Sequence, residues 1–372
     1  MTDIPVRPEM AGFKAYVPGL SIDEIKDRYG LTKVIKMASN ENPLGVSPLV
    51  QERLRRDAAL AFRYAQAGTP VLRAALAGHL GVPSSSLVAG NGSDEIIDLL
   101  LRVVARPGVD NVLAFDPCFS IYDVQARLCG VEFRQVPLNG DFSFPLERLA
   151  DMADENTALV FVTNPDNPSG HACPAAALAD LARRLPRRTL LVVDEAYIEF
   201  ALPRDEYSVL PYFSSIPNLV ILRTFSKMYG LAGLRLGYGI MPEWLADMLL
   251  RVKLPFSVNI LAERAGLAVL EDEAFVAETL HVVHAGRTEL AEGLSALGCE
   301  VYPSQANFLM FAPPMDARTL FEELLRRGVI IRPLDSYGLP GMLRVSVGNT
   351  EENREFLEKT AEVLRGHHHR HS

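Results

Sequence analysis

An α/β fold is what this sequence predicts, with a mostly parallel sheet in a large unit and a smaller α+β unit after it. Two observations carry the expectation. Through the middle of the 372-residue chain, short apolar β-rich runs alternate with helical stretches, as a parallel sheet buried on both faces requires. Past residue 260 the pattern changes to successive helices followed by shorter strands. At roughly 100–200 residues per domain, the length suits two units. The expected divisions are an N-terminal arm over 1–45 that packs on the smaller unit, a large unit over 46–260, and a small unit over 261–366. The last residues, 367–372, read as a tag or disordered tail.

The elements follow in order. Residues 1–45 hold Pro5, Pro8, Pro18 and Pro43 and little periodicity, so only a short helix near Ser21–Tyr29 is expected there. Apolar residues at helical spacing predict a helix from Pro48 to about Arg63. Thr69-Pro70 opens the next, with Thr as N-cap and Pro at the first helical position, and Gly81 closes it. Strands are expected at Asn111–Phe115, Val131–Val136, Ala158–Thr163, Leu190–Asp194, Leu219–Arg223 and Arg235–Ile240, with helices over Ser93–Ala105 and Ala175–Leu185. Further on, 241–252, 259–270 and 273–297 read as helices and 300–311 as a strand. A helix over 317–327, strands over 329–333 and 343–347, and a closing helix from Thr350 complete the set.

Composition removes several function classes. Lys and Arg number 37 against 46 Asp and Glu, a formal charge of −9. Phosphate-rich surfaces are gripped by excess Lys and Arg, so neither nucleic acid nor an anionic membrane is expected as a partner, though a local cationic pocket for a small anion is compatible. Cys118, Cys129, Cys173 and Cys299 form no C-x-x-C pair and are too sparse for a disulfide framework, which points to reduced thiols and a cytoplasmic protein. No signal peptide or membrane span is expected. His281 and His284 stand three apart on a helix with no third ligand at metal spacing, so no metal is expected.

Ligands on parallel sheets bind at the carboxyl ends of the strands, so the residues just after each run carry the functional reading. Gly90-Asn91-Gly92-Ser93-Asp94-Glu95 precedes an expected helix. Glu95 stands where a dinucleotide fingerprint needs its third glycine. The segment still makes a strong helix start, with Ser93 or Asp94 as cap and free amides that suit a phosphate; from this stretch alone, ordinary capping is the better reading. Asn164-Pro165-Asp166-Asn167-Pro168-Ser169-Gly170 follows another strand and alone would be a turn. Val192-Val193-Asp194-Glu195-Ala196-Tyr197 ends the next with an acidic pair. A carboxylate there is costly without a cationic partner, so Asp194 points to a ligand. Thr224-Phe225-Ser226-Lys227 closes a third strand, with Gly230, Gly233 and Arg235 behind it. Taken together, the three strand ends bring an amide, a carboxylate and an ammonium to one crevice, with Ser, Thr and Arg available for a phosphate.

Pyridoxal phosphate needs that set. A lysine amine condenses with its aldehyde, a carboxylate keeps its ring nitrogen protonated, and a helix N-terminus with Ser and Arg takes its phosphate. The ordered motifs N-P-x-N-P-S-G, V-D-E-A-Y, T-F-S-K-x-Y-G-L-A-G-L-R-x-G-Y and L-R-V-S-V-G resemble the fold-type-I pyridoxal-phosphate aminotransferases. Within them the chain is most similar to the histidinol-phosphate aminotransferases, from about Tyr16 to the final helix.

The resemblance implies a role for each matched residue. Lys227 would bind the cofactor aldehyde and later shuttle a proton, and Asp194 would pair with the pyridinium nitrogen. Tyr197 and Asn167 would hydrogen-bond the phenolic oxygen. Gly92, Ser93 and Asp94 would hold the cofactor phosphate with Ser226 and Arg235. Tyr64 would reach the phosphate of the neighbouring subunit, which implies a homodimer. Phe119 occupies the ring-stacking position, where many members have tyrosine; the ring face is kept and a hydroxyl lost. Arg344 would clamp the α-carboxylate of the amino donor and Arg332 the phosphate of histidinol phosphate, with Tyr16 and Asn307 lining the substrate pocket. The implied reaction is ping-pong transfer between L-histidinol phosphate and 2-oxoglutarate, giving imidazole-acetol phosphate and L-glutamate. An aromatic amino-acid aminotransferase or a phosphothreonine decarboxylase would use the same fold and cofactor. A non-catalytic cofactor-binding regulator would carry a further domain ahead of the first helices, where only about 45 residues stand.

Overall fold

The computed structural model describes residues 5–13 and 19–371. The large sheet holds β2 (Leu87–Asn91), β3 (Asn111–Asp116), β4 (Glu132–Pro137), β5 (Thr157–Thr163), β6 (Leu190–Asp194), β7 (Leu219–Thr224) and β8 (Leu236–Ile240), after a short β1 (Ile35–Lys36) in the arm. Its order is β2-β8-β7-β6-β5-β3-β4. Every neighbouring pair is parallel except those made by β8, which runs antiparallel to both β2 and β7. The expected mostly parallel α/β sheet is therefore present.

Why these runs become central strands is visible in their burial. Each residue of β5, β6 and β7 is buried, and side chains alternate between faces along a strand. Val160, Val162, Leu191 and Val193 enter one core. Leu159, Phe161, Leu190 and Val192 enter the core on the opposite face. Helices cover both faces, as continuous apolar strands demand.

The last third holds β9 (Glu300–Val301), β10 (Phe308–Ala312), β11 (Val329–Ile330), β12 (Arg332–Pro333) and β13 (Leu343–Ser346). Four of them form an antiparallel sheet in the order β12-β13-β10-β9, while β1 pairs in parallel with β11. The arm is thus hydrogen-bonded to the C-terminal third of the chain.

Several boundaries differ from expectation for local reasons. The sequence reading placed no strand at β2, whose five residues end in Gly90 and Asn91. The helix expected over 48–63 stops at Asp57 and continues as a 3-10 turn over Ala58–Phe62. Thr69 stands at the N-cap position, yet its φ is +45° and its side chain makes no capping bond. The strand expected over 300–311 breaks because Pro303 lacks an amide hydrogen and the following turn closes on Gly170, whose carbonyl accepts from Gln305 N at 2.8 Å. At Ile331 the chain passes from one sheet to the other, which divides the strand expected over 329–333. Finally, the helix Ile260–Leu270, assigned from sequence to the smaller unit, packs on the helices Pro48–Asp57 and Pro70–Leu80. Gly266 lets the same helix lie close on the large sheet: a Cβ there would stand 2.7 Å from Leu236 Cδ2 on β8.

Candidate active site

Because β2 and β7 both run antiparallel to β8, β2 runs parallel to the central strands and its carboxyl end lies at the same edge. A cavity of about 320 Å³ opens there. It receives Gly92, Ser93 and Asp94 from the helix after β2, Asp194 from the end of β6, and Ser226 and Lys227 from beyond β7. Phe119, Asn167, Tyr197, Arg235, Arg332 and Arg344 complete the predicted residues that line it.

At one end, Gly92 opens the helix Gly92–Val104 with φ +71°. A Cβ at Gly92 would fall 2.6 Å from Arg235 Nη2, and one at Gly237 would fall 2.3 Å from Ser93 N. Only glycine lets the helix start sit this close to Arg235 and β8. Arg235, itself at φ +56°, accepts from Gly92 N at 3.0 Å, and its guanidinium lies 3.4 Å from the Asp94 carboxylate. Burial pushes the Asp94 carboxyl up, opposed by Arg235 and Lys227. Neither Ser93 nor Asp94 caps the helix, contrary to expectation. The N-cap position is Asn91, and Glu95 reaches back to accept from Asn91 N at 2.6 Å.

On the pocket floor the acidic pair is divided by strand alternation. Glu195 turns away, accepts from Ser208, from Val209 N and from Arg223, and forms a buried ion pair at 2.9 Å with Arg223. Asp194 faces the pocket. It accepts from the Tyr122 hydroxyl at 2.7 Å and from Ala196 N at 3.2 Å. Burial raises its carboxyl to about 6. A buried carboxylate whose described partners are a phenol and an amide is suited to a cationic ligand group.

Lys227 faces the same space. Its Nζ donates to the Ser39 carbonyl at 3.1 Å and lies 5.9 Å from the Tyr197 ring centroid. Burial first, then the nearby charge of Arg344, lowers its ammonium to about 8. Arg344 donates from Nη1 to Asn167 Oδ1 and from Nη2 to the Ala38 carbonyl, the latter at 3.1 Å, while its buried Nε has no partner. Arg332 stands opposite Arg344 in the β12–β13 register, so both guanidinium side chains leave the sheet on one face and both line the cavity.

Other predicted residues are placed differently. Tyr16 lies outside the described residues. Asn307 is fully buried behind the cavity wall, where its Nδ2 donates to the Asn40 carbonyl at 2.9 Å and its Oδ1 has no partner; it is not among the lining residues. Tyr64 is 78% exposed and stacks on Phe256, outside the cavity. His284 is hydrogen-bonded to the Phe200 carbonyl at 3.0 Å. The sequence reading passed over Tyr122, Ser39 and Asn40. The run Ser39-Asn40-Glu41-Asn42-Pro43 offered a signal, since two asparagines just before a proline mark a structured turn, but it read as part of an arm.

The donor set fits pyridoxal phosphate. It offers a glycine-made cradle at a helix N-terminus, a buried carboxylate suited to a cation and a buried amine of lowered proton affinity. The fold and the pocket together define a pyridoxal-phosphate-dependent enzyme of fold type I. The sequence profile of the family described as aminotransferase class I and II matches residues 32–359. The chain is 62% identical over 359 residues to the histidinol-phosphate aminotransferase of Nitratidesulfovibrio vulgaris strain Hildenborough, covering 96% of each chain. It is 60% identical to that of Oleidesulfovibrio alaskensis, covering 97% of this chain and 95% of that one. The crystal structure of histidinol-phosphate aminotransferase from Sinorhizobium meliloti in complex with pyridoxal-5'-phosphate superposes with a TM-score of 0.87 at 28% identity, over 97% of this chain and 98% of that one. The chain belongs to the class I and II aminotransferases, among the histidinol-phosphate aminotransferases.

Proposed function

We propose that this protein transfers an amino group between L-histidinol phosphate and 2-oxoglutarate, the histidinol-phosphate aminotransferase step of L-histidine biosynthesis. The observation that carries the substrate is Arg332 opposite Arg344. Both guanidinium groups line the cavity from one face of the sheet, where an anion can be gripped between them. One such pocket can hold the phosphate of one substrate and a carboxylate of the other in alternate half-reactions.

Bound in the pocket, pyridoxal phosphate supplies an aldehyde that captures the amine and a ring that accepts electrons from the substrate α-carbon. Lys227 would take the proton from that α-carbon and deliver it to the cofactor carbon that carried the aldehyde; an amine near 8 is close to the proton affinity general base work requires. Asp194 holds a proton on the ring nitrogen. Tyr197 and Asn167 orient the phenolic oxygen, and Asn167 is set for this because its Oδ1 is occupied by Arg344, which leaves the amide hydrogens for the pocket. The Gly92–Asp94 helix start, Ser226 and Arg235 hold the phosphate, and Phe119 lies on the ring face. Tyr16 belongs to the substrate side of the site, and Asn307 supports that side from behind the wall through the Asn40 carbonyl.

The protein acts as a homodimer in this reading. Tyr64 and Phe256 stack at 4.4 Å with both rings largely in solvent, beside exposed Phe62 and Leu254. An apolar surface of this kind supports burial against a second copy, with Tyr64 reaching the neighbouring site. The four cysteines are free thiols, which supports a reducing, cytoplasmic setting. The large unit over 46–260 holds the cofactor and the C-terminal unit with the arm closes the substrate side.

The deciding experiment is a coupled transamination assay on cofactor-loaded protein, with 2-oxoglutarate as acceptor and histidinol phosphate or phenylalanine as donor. The expected result is a large preference for histidinol phosphate. Equal or better turnover of phenylalanine would reassign the protein to the aromatic aminotransferases.

A further inference from the structure

Asn40 stands on the segment that crosses the cavity, and each of its four polar groups has a partner. Its backbone sits at φ +56°, a left-handed conformation that asparagine tolerates better than most side chains. Its N–H donates to Ser346 Oγ at 2.8 Å and its carbonyl accepts from Asn307 Nδ2 at 2.9 Å. Its Oδ1 accepts from Ser346 Oγ at 2.8 Å, and its Nδ2 donates to the Tyr197 hydroxyl oxygen at 3.1 Å. The carbonyls just before it receive Lys227 and Arg344.

The directions of these bonds follow from leaving no buried donor unpaired. A serine hydroxyl has one hydrogen. Ser346 Oγ accepts from the Asn40 backbone N–H, and the acceptor in reach of its single hydrogen is Asn40 Oδ1; with the Asn40 amide turned round, that buried hydroxyl hydrogen would lose its partner. That fixes which end of the Asn40 side chain faces Tyr197: the amide nitrogen. Tyr197 Oη therefore acts as acceptor toward Asn40, and its own hydrogen is left for a partner on the pocket side. A hydroxyl that already accepts a hydrogen bond is also a stronger donor.

We propose that Asn40 is a positioning residue, held by Ser346, that turns the Tyr197 hydroxyl into a dedicated donor toward the cofactor's phenolic oxygen and so sets the proton affinity of the lysine-bound cofactor. The inference rests on the reading that Tyr197 hydrogen-bonds this oxygen. The bland alternative is that Asn40 merely stitches the arm to β13. The other charged and titratable groups around Tyr197 are Arg344, Tyr337, Asp194 and Lys227, and the test leaves all four in place.

The test is a spectrophotometric pH titration of the visible band of the holoenzyme, in the parent, Asn40→Asp, Tyr197→Phe and the double variant. A donated hydrogen bond favours the ionised phenolic oxygen, so losing it raises the midpoint. Tyr197→Phe is expected to raise it by about one pH unit, tenfold in the proton equilibrium. Asn40→Asp replaces the amide by an acceptor, which draws the Tyr197 hydrogen away from the pocket, and is expected to raise it comparably. The aspartate's charge acts in the same direction, and the double variant separates the two effects. If Asn40 works through Tyr197, Asn40→Asp shifts the midpoint less than half as far in the Tyr197→Phe background. Equal shifts in both backgrounds, or no shift from Asn40→Asp while Tyr197→Phe moves the midpoint, would overturn the role of Asn40. No shift from Tyr197→Phe would overturn the underlying reading of Tyr197 instead. Should Asn40→Asp not fold, Ser346→Ala frees the Asn40 amide to turn without adding charge. The same cycle then applies: a shift that disappears in the Tyr197→Phe background supports the proposal, and no shift overturns it.

Discussion

The hydroxyl of Tyr122 donates to the Asp194 carboxylate at 2.7 Å on the pocket floor, and lies 2.8 Å from Thr163 Oγ1. Tyr122 is fully buried, stacked on Phe161 at 4.4 Å, so the donor cannot swing away. It holds Asp194 in orientation and favours its ionised form against burial, which still drives the carboxyl up to about 6.

Removing that donor makes the first prediction. In the apoprotein Asp194 protonates as pH falls through about 6, and cofactor affinity falls with it, because the neutral acid no longer pairs with a pyridinium. Tyr122→Phe should move this loss to higher pH and weaken cofactor binding at neutral pH about fivefold, the effect of one hydrogen bond of about 1 kcal/mol. Fluorescence titration of apoprotein with pyridoxal phosphate across pH checks it; an unmoved midpoint would show that Tyr122 serves only as packing.

Lys227 carries two expectations. Lys227→Ala should abolish the visible band of the bound cofactor and reduce turnover at least about a thousandfold, since both a nucleophile and a proton carrier are lost. In the parent protein the neutral amine is the nucleophile, so the rate of cofactor incorporation should rise with pH and level off above about 8. Stopped-flow reconstitution reads this directly. A flat profile between pH 6 and 9 contradicts the lowered proton affinity.

Arg332→Ala should cost about 1.5–3 kcal/mol in kcat/KM for histidinol phosphate, roughly ten- to a hundredfold, as a charged hydrogen-bond partner of the phosphate is lost. Phenylalanine turnover should change much less. An equal loss for both substrates would mark Arg332 as structural.

At the exposed face, Phe256→Asp puts a charge beside Tyr64 in the surface assigned to the dimer. Sedimentation should show the subunit dissociation constant raised at least tenfold, with cofactor retention lost in parallel because Tyr64 of the neighbouring subunit withdraws. A variant that stays dimeric and loaded would place the interface elsewhere.

Asp166 offers a stability test away from the chemistry. It is buried and accepts from Ser169 Oγ at 2.6 Å and Ser169 N at 3.2 Å, yet burial still raises its carboxyl to about 6 from 3.8. A carboxyl raised in the folded state binds more protons there than in the unfolded chain between these values, so its contribution to stability falls as pH rises from about 4 to about 6. Relative to the parent, Asp166→Asn should gain roughly 2 kcal/mol between pH 4 and pH 7. Urea unfolding of both proteins at the two pH values tests the sign; a difference independent of pH refutes it.

Much of the site was legible before the fold. Lys227, Asp194 and Asn167 each stand at or just beyond the end of an apolar run, and a parallel sheet brings such ends to one edge whatever the details of packing. Arg332 and Arg344 were legible as candidates only through resemblance, because their spacing along the chain says nothing of the cross-strand register that sets them opposite each other. Helix capping after β2 was misread: Ser93 and Asp94 are good caps in isolation, but Arg235 draws the Asp94 carboxylate and Glu95 takes the amide of Asn91.

By itself, then, the sequence determined the α/β architecture, the strands of the central sheet from β3 to β8, and the lysine, carboxylate and amide at their ends, since all of these follow from local periodicity and strand-end position. Tertiary structure alone decided the rest. It brought Ser39 and Asn40 from the arm against Lys227 and Tyr197, placed Tyr122 beneath Asp194, and withdrew Asn307 behind the wall. Those contacts join residues 72 to 267 positions apart, and no local pattern records a partner that only the folded core brings near.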